Sequence, residues 1–434
     1  MKIAIIGGGV SGLVCASLLH ERHDITLFEA SATIGGHSHT ARVSHEGREI
    51  DVDTGFIVFN RGNYPEFCRL VIDRLGVPVR PAPMTFGVRC ERTGLEWGGG
   101  SLGAVFAQRR NLARPAFLRM LRDIGRFGRE APAAARELGE AATLGEFLRE
   151  RGYSHGFAVH YLKPMAGAIW SAPASCMEGF PLAFLVRFFE NHGMLTPRRA
   201  PRWLTIDGGS REYVRRLVAP FEDRVRLDSR VASVAPGGGA GAGGRGVRVS
   251  LASGETETFD EAVMACHSDQ SLAMLPDPTD AERETLAAMP YQPNDTVLHT
   301  DATLLPRARA AWSAWNALLP ADPPADQAGA LVTYNLSILQ SLPSRTPLLV
   351  SLNQTKRIDP RRVLGRFTYA HPVCTRESIA AQERWPEISG VRGLHFCGAY
   401  WGNGFHEDGV RSALRVADAL GARAGSPSMA EAVA

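Results

Sequence analysis

The sequence predicts an α/β protein of two domains, and three observations support this prediction. The chain has 434 residues, which is enough for two domains with sizeable cores. Residues 2–29 read as a strand, a helix and a second strand, the pattern of a β-α-β unit. Residues 101–200 have mainly helical periodicity and the segments after them read largely as strands, so a mixed α+β domain is expected beside the first unit.

The individual elements follow from local patterns. KIAIIG and DITLFEA are apolar, β-branched runs that predict strands, and SGLVCASLLHER between them has apolar residues at helical spacing. FLRMLRDIGRFGRE, TLGEFLRER and PLAFLVRFFENHG predict helices. RVRLDSRVASVAP, GVRVSLASGETETFDEAVMAC, ALVTYNLSILQSL and PLLVSLNQ predict strands. The chain closes with a strand at GLHFCGAY, a helix near VRSALRVADALGARA and a frayed tail at 426–434.

The composition is that of an ordinary globular enzyme. Hydrophobic residues make up 44% and charged residues 21%, and a net charge of +3 gives no reason to expect nucleic acid. The seven cysteines show no CxxC pair and no zinc spacing, so we expect reduced thiols, no metal site and a cytoplasmic protein. No apolar run reaches the roughly 18 residues of a membrane span.

The first loop carries the pattern of a nucleotide site. Gly7, Gly9 and Gly12 form GxGxxG directly after the first predicted strand. The first glycine allows a tight turn, the second lets a pyrophosphate approach the backbone near Val10 and Ser11, and the third allows close helix–strand packing. An acidic residue is expected about 20 residues later, at the end of the second strand, to bind a ribose. Glu29 and Ala30 occupy that strand end.

A second glycine-rich stretch, GGGAGAGGRG at 237–246, also contains GxGxxG. It lies between two alternating strands and is not followed by a helical pattern, so we predict a hairpin loop there.

The residues after Glu29 point to a particular family. EASATIGGHSHT resembles the extended fingerprint of the flavin-containing amine oxidase and phytoene desaturase superfamily. This resemblance implies a FAD-binding Rossmann-like domain beside a mixed α+β substrate domain, with FAD held non-covalently. Members usually carry Gly-Gly-Arg here, whereas this chain has Gly35 and Gly36 followed by His37. The resemblance therefore places Gly36 and His37 at the cofactor.

Later stretches match the same superfamily in order. DVDTGFIVFN implies that Thr54, Gly55 and Phe56 pass beside the flavin, and RVASV implies that the backbone of Val231 reads adenine. LHFCGAYWGNGFHEDGV resembles the C-terminal FAD motif. There the resemblance implies that Gly398 contacts the cofactor and that a helix begins under the flavin at about Gly409 and Val410. The positive end of that helix would stabilise reduced flavin.

The resemblance also divides the chain into domains. The FAD domain is expected at 1–80, 202–285 and 388–425, and the substrate domain at 81–201 and 286–387. The segments GGHSHT, AIWSAP and CGAYWGNGFHEDG resemble those of a bacterial subgroup of predicted NAD/FAD-binding oxidoreductases. Members are often encoded beside cyclopropane-fatty-acid-synthase-like methyltransferases, an association that suggests acyl-chain substrates.

Candidates for the chemistry come from the same C-terminal motif. His406 or Glu407 is a candidate acid or base, and Phe405 and Trp401 are candidates for aromatic contact with the flavin. The alternative is that Asp408 caps the last helix and Glu407 is solvated. Amine oxidases use a lysine near flavin N5, and the corresponding segment at 289–301 contains none. Trp170, Trp312, Trp315 and Tyr334 either line a substrate pocket or are core aromatics.

Segment 106–130 is strongly basic, with seven arginines against one Asp and one Glu. Such a helix either contacts an anionic bilayer, here the inner membrane surface, or packs one face in the core and exposes the other.

Three functional hypotheses remain open at this point. The first is a FAD-dependent oxidoreductase that transfers hydride between flavin N5 and an apolar substrate, a fatty-acyl chain or another lipid, by desaturation, saturation or double-bond isomerisation. The second is a flavin amine oxidase with an atypical pocket. The third is a non-catalytic FAD-binding redox partner. No pattern identifies the electron acceptor.

Overall fold

The computed structural model of the protein describes residues 1–139, 142–170, 178–195, 201–237, 246–322 and 331–422. In chain order its strands are β1 (Lys2–Ile6), β2 (Asp24–Phe28), β3 (Thr40–His45), β4 (Arg48–Asp53), β5 (Phe59–Asn60), β6 (Val79–Pro81), β7 (Phe86–Cys90), β8 (Glu96–Gly98), β9 (Trp203–Ile206), β10 (Val225–Arg226), β11 (Val231–Pro236), β12 (Val247–Leu251), β13 (Thr256–Phe259), β14 (Glu261–Met264), β15 (Tyr291–His299), β16 (Trp315–Leu319), β17 (Leu331–Asn335), β18 (Leu349–Leu352), β19 (Val363–Pro372) and β20 (Leu394–Phe396).

The α-helices are numbered in the same way. They are α1 (Val10–Leu19), α2 (Pro65–Cys68), α3 (Leu102–Val105), α4 (Pro115–Leu138), α5 (Leu144–Glu150), α6 (His155–Phe157), α7 (Lys163–Trp170), α8 (Leu182–Asn191), α9 (Arg211–Val218), α10 (Ser268–Met274), α11 (Asp280–Ala287), α12 (Leu336–Leu339), α13 (Arg376–Glu383), α14 (Trp385–Ile388) and α15 (His406–Ala419).

The first of two large sheets is parallel and has five strands, in the order β10-β2-β1-β14-β20. Successive side chains of β1 point to opposite faces because a strand has a two-residue period. Ile3 and Ile5 pack with helices α1 and α15 on one face. Ala4 and Ile6 pack with the antiparallel sheet β11-β12-β13 on the other. The β-α-β unit predicted from the first 29 residues is confirmed, and with it the α/β fold class.

The second large sheet is mixed and has seven strands, in the order β19-β15-β18-β17-β16-β7-β8. The helices between residues 102 and 191 pack on it: Phe117 and Phe127 of α4 share a buried cluster with Val88 of β7 and Trp97 of β8. The helical character predicted for 101–200 is confirmed over its described residues. The domain boundaries given above stay a prediction.

Two local expectations need correction. ALVTYNLSILQSL is not one strand: β17 ends at Asn335, whose side chain accepts a hydrogen bond from the N–H of Ile338 and starts α12. The last helix begins at His406, three residues before the position expected at Gly409.

The second glycine-rich stretch falls largely outside the described residues, at 238–245. The strands that flank it, β11 and β12, pair antiparallel, as a hairpin requires. The tail at 426–434 also lies outside them. Within the described ranges, no helix is both long and apolar enough to cross a bilayer.

Candidate functional site

A cavity of about 870 Å³ extends from the end of β1 to the seven-stranded sheet. We name four parts of it by their lining residues. The glycine cradle consists of Gly7, Gly8, Gly9, Val10, Ser11 and Glu29. The histidine groove consists of His37, His267, Tyr291, Tyr369 and His371. The aromatic wall consists of Phe56, Phe188, His192, Trp203, Phe405 and His406. The apolar chamber consists of Val58, Met84, Phe86, Tyr161, Met165, Ile169, Trp315, Tyr334 and Leu352.

Two glycines of the GxGxxG motif, Gly9 and Gly12, lack a side chain for different structural reasons. A Cβ on Gly12 would lie 1.9 Å from the carbonyl oxygen of Gly7, so Gly12 lets α1 pack on β1 and does not line the cavity. A Cβ on Gly9 would meet no protein atom within 4 Å, because Gly9 faces the open cavity. Gly9 also begins α1, which has neither a side-chain cap nor an acidic residue in its first turn. The cradle therefore presents the positive end of a helix to the cavity.

Glu29 stands at the end of β2 beside this helix terminus. Its carboxylate accepts the N–H of Gly8 at 2.8 Å and the N–H of Ser31 at 2.8 Å. Each carboxylate oxygen keeps a further lone pair for a ligand hydroxyl. Ala30 and Val231 do not line the cavity: Ala30 follows Glu29 as an exposed residue, and Val231 is buried where β11 begins.

Two glycine contacts bring the next segments against the cradle. A Cβ on Gly36 would lie 3.1 Å from Cα of Gly9. A Cβ on Gly55 would lie 2.1 Å from the carbonyl oxygen of His37. The N–H of Phe56 donates to that same carbonyl at 2.8 Å. The segment after β4 thus lies directly on the loop at Gly36 and His37, and Thr54, Gly55 and Phe56 line the cavity.

A family model for flavin containing amine oxidoreductases matches residues 10–317. The chain belongs to this family. The protein is therefore a FAD-dependent oxidoreductase, and the hypothesis of a non-catalytic partner is set aside. A search of curated protein sequences gives no significant match.

Solved structures of low sequence identity share the fold of the oxidoreductase. A triple mutant of putrescine oxidase aligns with a TM-score of 0.65 and 14% identity, over 97% of this chain and 99% of that chain. CLA-producing fatty acid isomerase from P. acnes aligns at 0.64 and 15%, over 96% and 98%. Cyclohexylamine oxidase from Brevibacterium oxydans IH-35A aligns at 0.63 and 15%, over 96% and 98%. These likenesses confirm the amine-oxidase-like architecture over nearly the whole chain.

The cavity of the oxidoreductase fits FAD. The uncapped start of α1 and the open face of Gly9 suit a diphosphate, and Glu29 suits the adenosine ribose. Beyond the cradle, Gly55, Phe56 and the C-terminal motif border the space left for the flavin. Bound there, the flavin supplies a two-electron hydride acceptor and donor. In the described part of the chain, no group of His, Cys, Asp and Glu side chains is placed to hold a metal ion.

The C-terminal motif contributes to this site differently from the sequence prediction. Gly398 lines the cavity, but Gly409 and Val410 do not. A Cβ on Gly409 would lie 2.8 Å from Val10 Cγ1 and 2.9 Å from Ser11 Oγ, so this glycine lets α15 approach α1. The residue of α15 that lines the cavity is His406, at the start of the helix.

His406 is a neutral member of the aromatic wall. Its ring stacks on Phe56 with centroids 3.7 Å apart, and its Nε2 is 2.9 Å from Ser38 Oγ, which also contacts the buried hydroxyl of Tyr213. Burial and the neighbouring His37 lower the pKa of His406 to about 3. At neutral pH such an imidazole is uncharged. It can pack against a ligand and orient it, but it does not act as a cationic proton donor.

Glu407 does not face the main cavity. Its two oxygens accept the N–H groups of Glu66 at 3.2 Å and Phe67 at 3.0 Å, at the start of α2. Burial raises the pKa of Glu407 above its ordinary value. Asp408 accepts the N–H groups of Asn403 and Phe405 and caps α15, as the alternative interpretation expected. Glu407 is buried and bonded rather than solvated, so this placement gives it a structural task.

Phe405 and Trp401 have separate surroundings. Phe405 stacks on Phe188 with centroids 5.5 Å apart, and Phe188 stacks on His192 at 3.8 Å. Trp401 packs in the core against Tyr400, at 5.1 Å, and does not line the cavity. Tyr400 lines the cavity instead. The aromatic residue of this turn that lines the cavity is therefore Tyr400, and not Trp401 as the sequence predicted.

The apolar chamber lies where the seven-stranded sheet meets α7. Trp315 of β16 and Tyr334 of β17 meet edge to face with centroids 5.0 Å apart, and both line it. Trp312 does not line it: its Nε1 donates to the carbonyl of Pro306 at 2.8 Å. The side chain of Trp170 is outside the described part of the structure. A smaller cavity of about 550 Å³, lined by Arg187, Arg411, Glu407 and Asp408 among others, adjoins the aromatic wall.

The histidine groove contains residues that the sequence did not identify. His267 follows β14 and His371 lies on β19, and neither belongs to a motif. The signal available in the sequence was their position: His267 lies just after a strand of the parallel sheet, and such strand ends border ligand sites in α/β proteins. His371 had no local signal, since its place depends on the pairing of β19 with β15.

Proposed function

We propose that this oxidoreductase acts on an apolar acyl chain, a fatty acid or another lipid, by hydride transfer to or from flavin N5. The observation that carries the proposal is the lining of the apolar chamber. It contains aliphatic, methionine and aromatic side chains, and among its described residues there is no Asp, Glu, Lys or Arg. Burying the ammonium group of an amine substrate there without a partner carboxylate would be costly, whereas a hydrocarbon chain loses nothing.

The chain's own residues position such a substrate rather than activate it. The chamber belongs to the same cavity as the aromatic wall, in which Phe56 faces the cavity together with Phe405 and His406 of the C-terminal motif. A hydrocarbon chain extending from the chamber is thereby held against one face of the cofactor site and shielded from water. The neutral His406 and the absence of lysine from 289–301 fit a reaction that needs no strong base. Desaturation, saturation and double-bond isomerisation all meet this condition.

We expect fatty acids, and not primary amines, to react with the holoenzyme. Anaerobic mixing with unsaturated and saturated fatty acids, followed by flavin absorbance and mass spectrometry of the acyl products, tests this directly. Bleaching indicates desaturation, and a shifted double bond without net bleaching indicates isomerisation. Turnover of primary amines of matched chain length with release of peroxide, together with an unchanged spectrum in fatty acids, would establish the amine oxidase hypothesis instead.

A matched pair of variants locates the acyl chain. Leu352→Lys places a charge in the apolar chamber, and we expect KM for the acyl substrate to rise about tenfold or more, because a buried charge excludes hydrocarbon. Leu352→Met keeps the volume and the polarity and should leave KM nearly unchanged. FAD binding should be equal in both variants, since Leu352 lines the chamber and not the cradle.

We further propose that the oxidoreductase takes its substrate from an anionic bilayer. The inner side of α4 is in the core, so its apolar face is not available to lipid. The outer side carries Leu118, Arg119, Arg122 and Arg129, all exposed, and none of these arginines forms an ion pair with a described residue. Two strongly exposed leucines precede them, Leu102 at 79% and Leu112 at 57%.

This basic and leucine-rich surface is close to the apolar chamber. Phe117 on the inner side of α4 packs on Trp97, with centroids 6.5 Å apart, and Trp97 packs on Tyr161 at 6.1 Å. Tyr161 lines the chamber. The two acids of the segment do not neutralise the surface, because Asp123 is buried against the N–H of Ser154 and Glu130 pairs with Arg126. Arginines and leucines side by side match the headgroups and acyl chains of an anionic membrane.

We expect the protein to sediment with vesicles containing phosphatidylglycerol and not with pure phosphatidylcholine. Arg119→Glu combined with Arg122→Glu should release it, because each basic residue contributes about 1 kcal/mol near an anionic surface. The matched control is Arg248→Glu with Arg283→Glu, an equal change of charge at exposed positions elsewhere. Equal loss of binding in both double variants would mean that net charge, not this surface, is responsible.

A further inference from the structure

Three histidines converge in the histidine groove, next to the glycine cradle. The ring centroid of His37 is 5.4 Å from that of His371 and 6.1 Å from that of His267. The three come from separate segments: the loop after β2, β19 and the loop after β14. Tyr369 packs on His37 at 5.1 Å, and Tyr291 stacks on His267 at 4.1 Å. Aromatic packing thus holds the rings of His37 and His267 in place.

Hydrogen bonds determine which ring nitrogen of His371 carries a proton. The amide nitrogen Nδ2 of Asn294 is 3.2 Å from the carbonyl oxygen of Gln292 and 2.9 Å from His371 Nδ1. The amide oxygen of Asn294 accepts from Asn353 Nδ2 at 2.8 Å. Asn294 is therefore the donor to His371, and the neutral ring carries its proton on Nε2. This N–H is a donor that Asn294 leaves available to the groove.

His37 is hydrogen-bonded through the other ring nitrogen, Nε2 instead of Nδ1. Its Nε2 is 3.1 Å from the carbonyl oxygen of Ala370, which can only accept, so Nε2 carries the proton. Nδ1 then has a lone pair while the ring is neutral. Burial and the two other histidines lower the pKa of His37 to about 3. Burial and His267 lower the pKa of His371 to about 4. Without an anion in the groove, these rings are neutral at physiological pH.

We propose that His37, His267 and His371 bind the diphosphate of FAD in place of an arginine, and that FAD binding takes up a proton from solvent at His37. The proton would occupy Nδ1, so the ring becomes a cation with two N–H donors. The diphosphate diester is a dianion over the whole neutral range, and an adjacent dianion favours the charged form of an imidazole. At a pH below the pKa of His37 in the complex, the proton stays on His37 while the cofactor is bound, and no covalent change is involved.

The groups that face His37 supply no competing negative charge. His371 and Tyr369 face it from β19, His267 from the loop before α10, and His406 from α15. Burial lowers the pKa of His267, and the carboxylate of Asp269 offsets this effect only in part. No described carboxylate lies within ion-pair distance of any of the three rings. The incoming diphosphate is consequently the partner that stabilises an imidazolium there.

The affinity for FAD should therefore increase as the pH falls. With a histidine that is neutral in the apoprotein and charged in the complex, Kd decreases by up to about tenfold per pH unit below the pKa in the complex. Titration of the apoprotein with FAD between pH 5.5 and 8.5, followed by flavin fluorescence, measures this slope. Calorimetry in buffers of different ionisation enthalpy measures the proton uptake independently of activity.

Variants assign the proton to its residue. His37→Arg carries a permanent charge and His37→Gln carries none, so both should bind FAD with a Kd independent of pH, and the arginine variant more tightly. If the arginine does not fold, the glutamine variant alone decides. His299→Gln removes a buried histidine of β15 outside the groove and should keep the wild-type slope.

Two results would overturn the proposal. One is a wild-type Kd that does not change with pH, and the other is a slope that persists in His37→Gln. Riboflavin, which lacks the diphosphate, provides a ligand control on the same protein: its binding should not depend on pH. A parallel slope for riboflavin would place the titrating group at the flavin instead.

Discussion

Replacement of Gly9 by alanine is expected to leave the apoprotein folded and to weaken FAD binding by about tenfold or more. The backbone of Gly9 has φ −75° and ψ −179°, which alanine adopts without strain. Its Cβ would meet no protein atom within 4 Å. The methyl group would instead occupy the space through which a diphosphate approaches the start of α1. Thermal unfolding of the apoprotein and FAD titration measure the two effects separately.

Two comparison variants make this result interpretable. Gly12→Ala should lower the stability of the apoprotein itself, because its Cβ would lie 1.9 Å from the carbonyl oxygen of Gly7. Gly179→Ala adds a methyl group to open space away from the cavity and should change neither property. If Gly9→Ala bound FAD like the wild type, the diphosphate would have to lie elsewhere than at α1.

The second large effect is expected from Asp53→Ala, which should lower the free energy of unfolding by about 3–5 kcal/mol. Asp53 is 1% exposed at the end of β4. Its oxygens accept from Thr40 Oγ1 at 2.6 Å, from the N–H and hydroxyl of Ser210 at 2.8 and 2.9 Å, and from Gln340 Nε2 at 2.8 Å. Removing the carboxylate leaves these buried donors without their acceptor.

Urea denaturation of the variant and of Asp51→Ala provides the test. Asp51 lies two residues earlier on the same strand and pairs with Arg42 and Arg211 near the surface. Partly exposed pairs of this kind contribute about 1 kcal/mol or less. Equal losses in the two variants would contradict the assignment of Asp53 as the acceptor that joins β3, α9 and α12. Because Thr54, Gly55 and Phe56 follow Asp53 into the cavity, FAD affinity should also fall in Asp53→Ala.

The parts of the site that were predictable from sequence are those built from contiguous residues. Gly7, Gly9 and Gly12 with Glu29 could be recognised because one β-α-β unit of about 30 residues places them together. The parallel pairing of β1 with β2 confirms that unit. The motif also assigns the close approach of the pyrophosphate to its second glycine, Gly9, and the helix–strand packing to its third, Gly12, and the surroundings of the two glycines agree with this order.

The remaining parts depend on contacts between distant segments. Glu407 binds the N–H groups of Glu66 and Phe67, a contact that no pattern around residue 407 indicates. The choice between Tyr400 and Trp401 depends on the rotation of one short turn, Ala399–Trp401. The histidine groove is assembled from two loops and the strands β15 and β19, and the apolar chamber from strands of the seven-stranded sheet and from α7, so their composition appears only after the strands are paired.

The packing of α15 on α1 has a consequence for biosynthesis. Cys15 Sγ lies 3.5 Å from the carbonyl oxygen of Ala413, a residue 398 positions later in the chain. The first strand and helix emerge from the ribosome early, whereas the surface that completes their binding site emerges only with α15, about 400 residues later. A nascent chain therefore cannot retain its cofactor before α15 has been made. Yellow colour in a preparation consequently reports chains translated through α15, and truncated products should remain colourless.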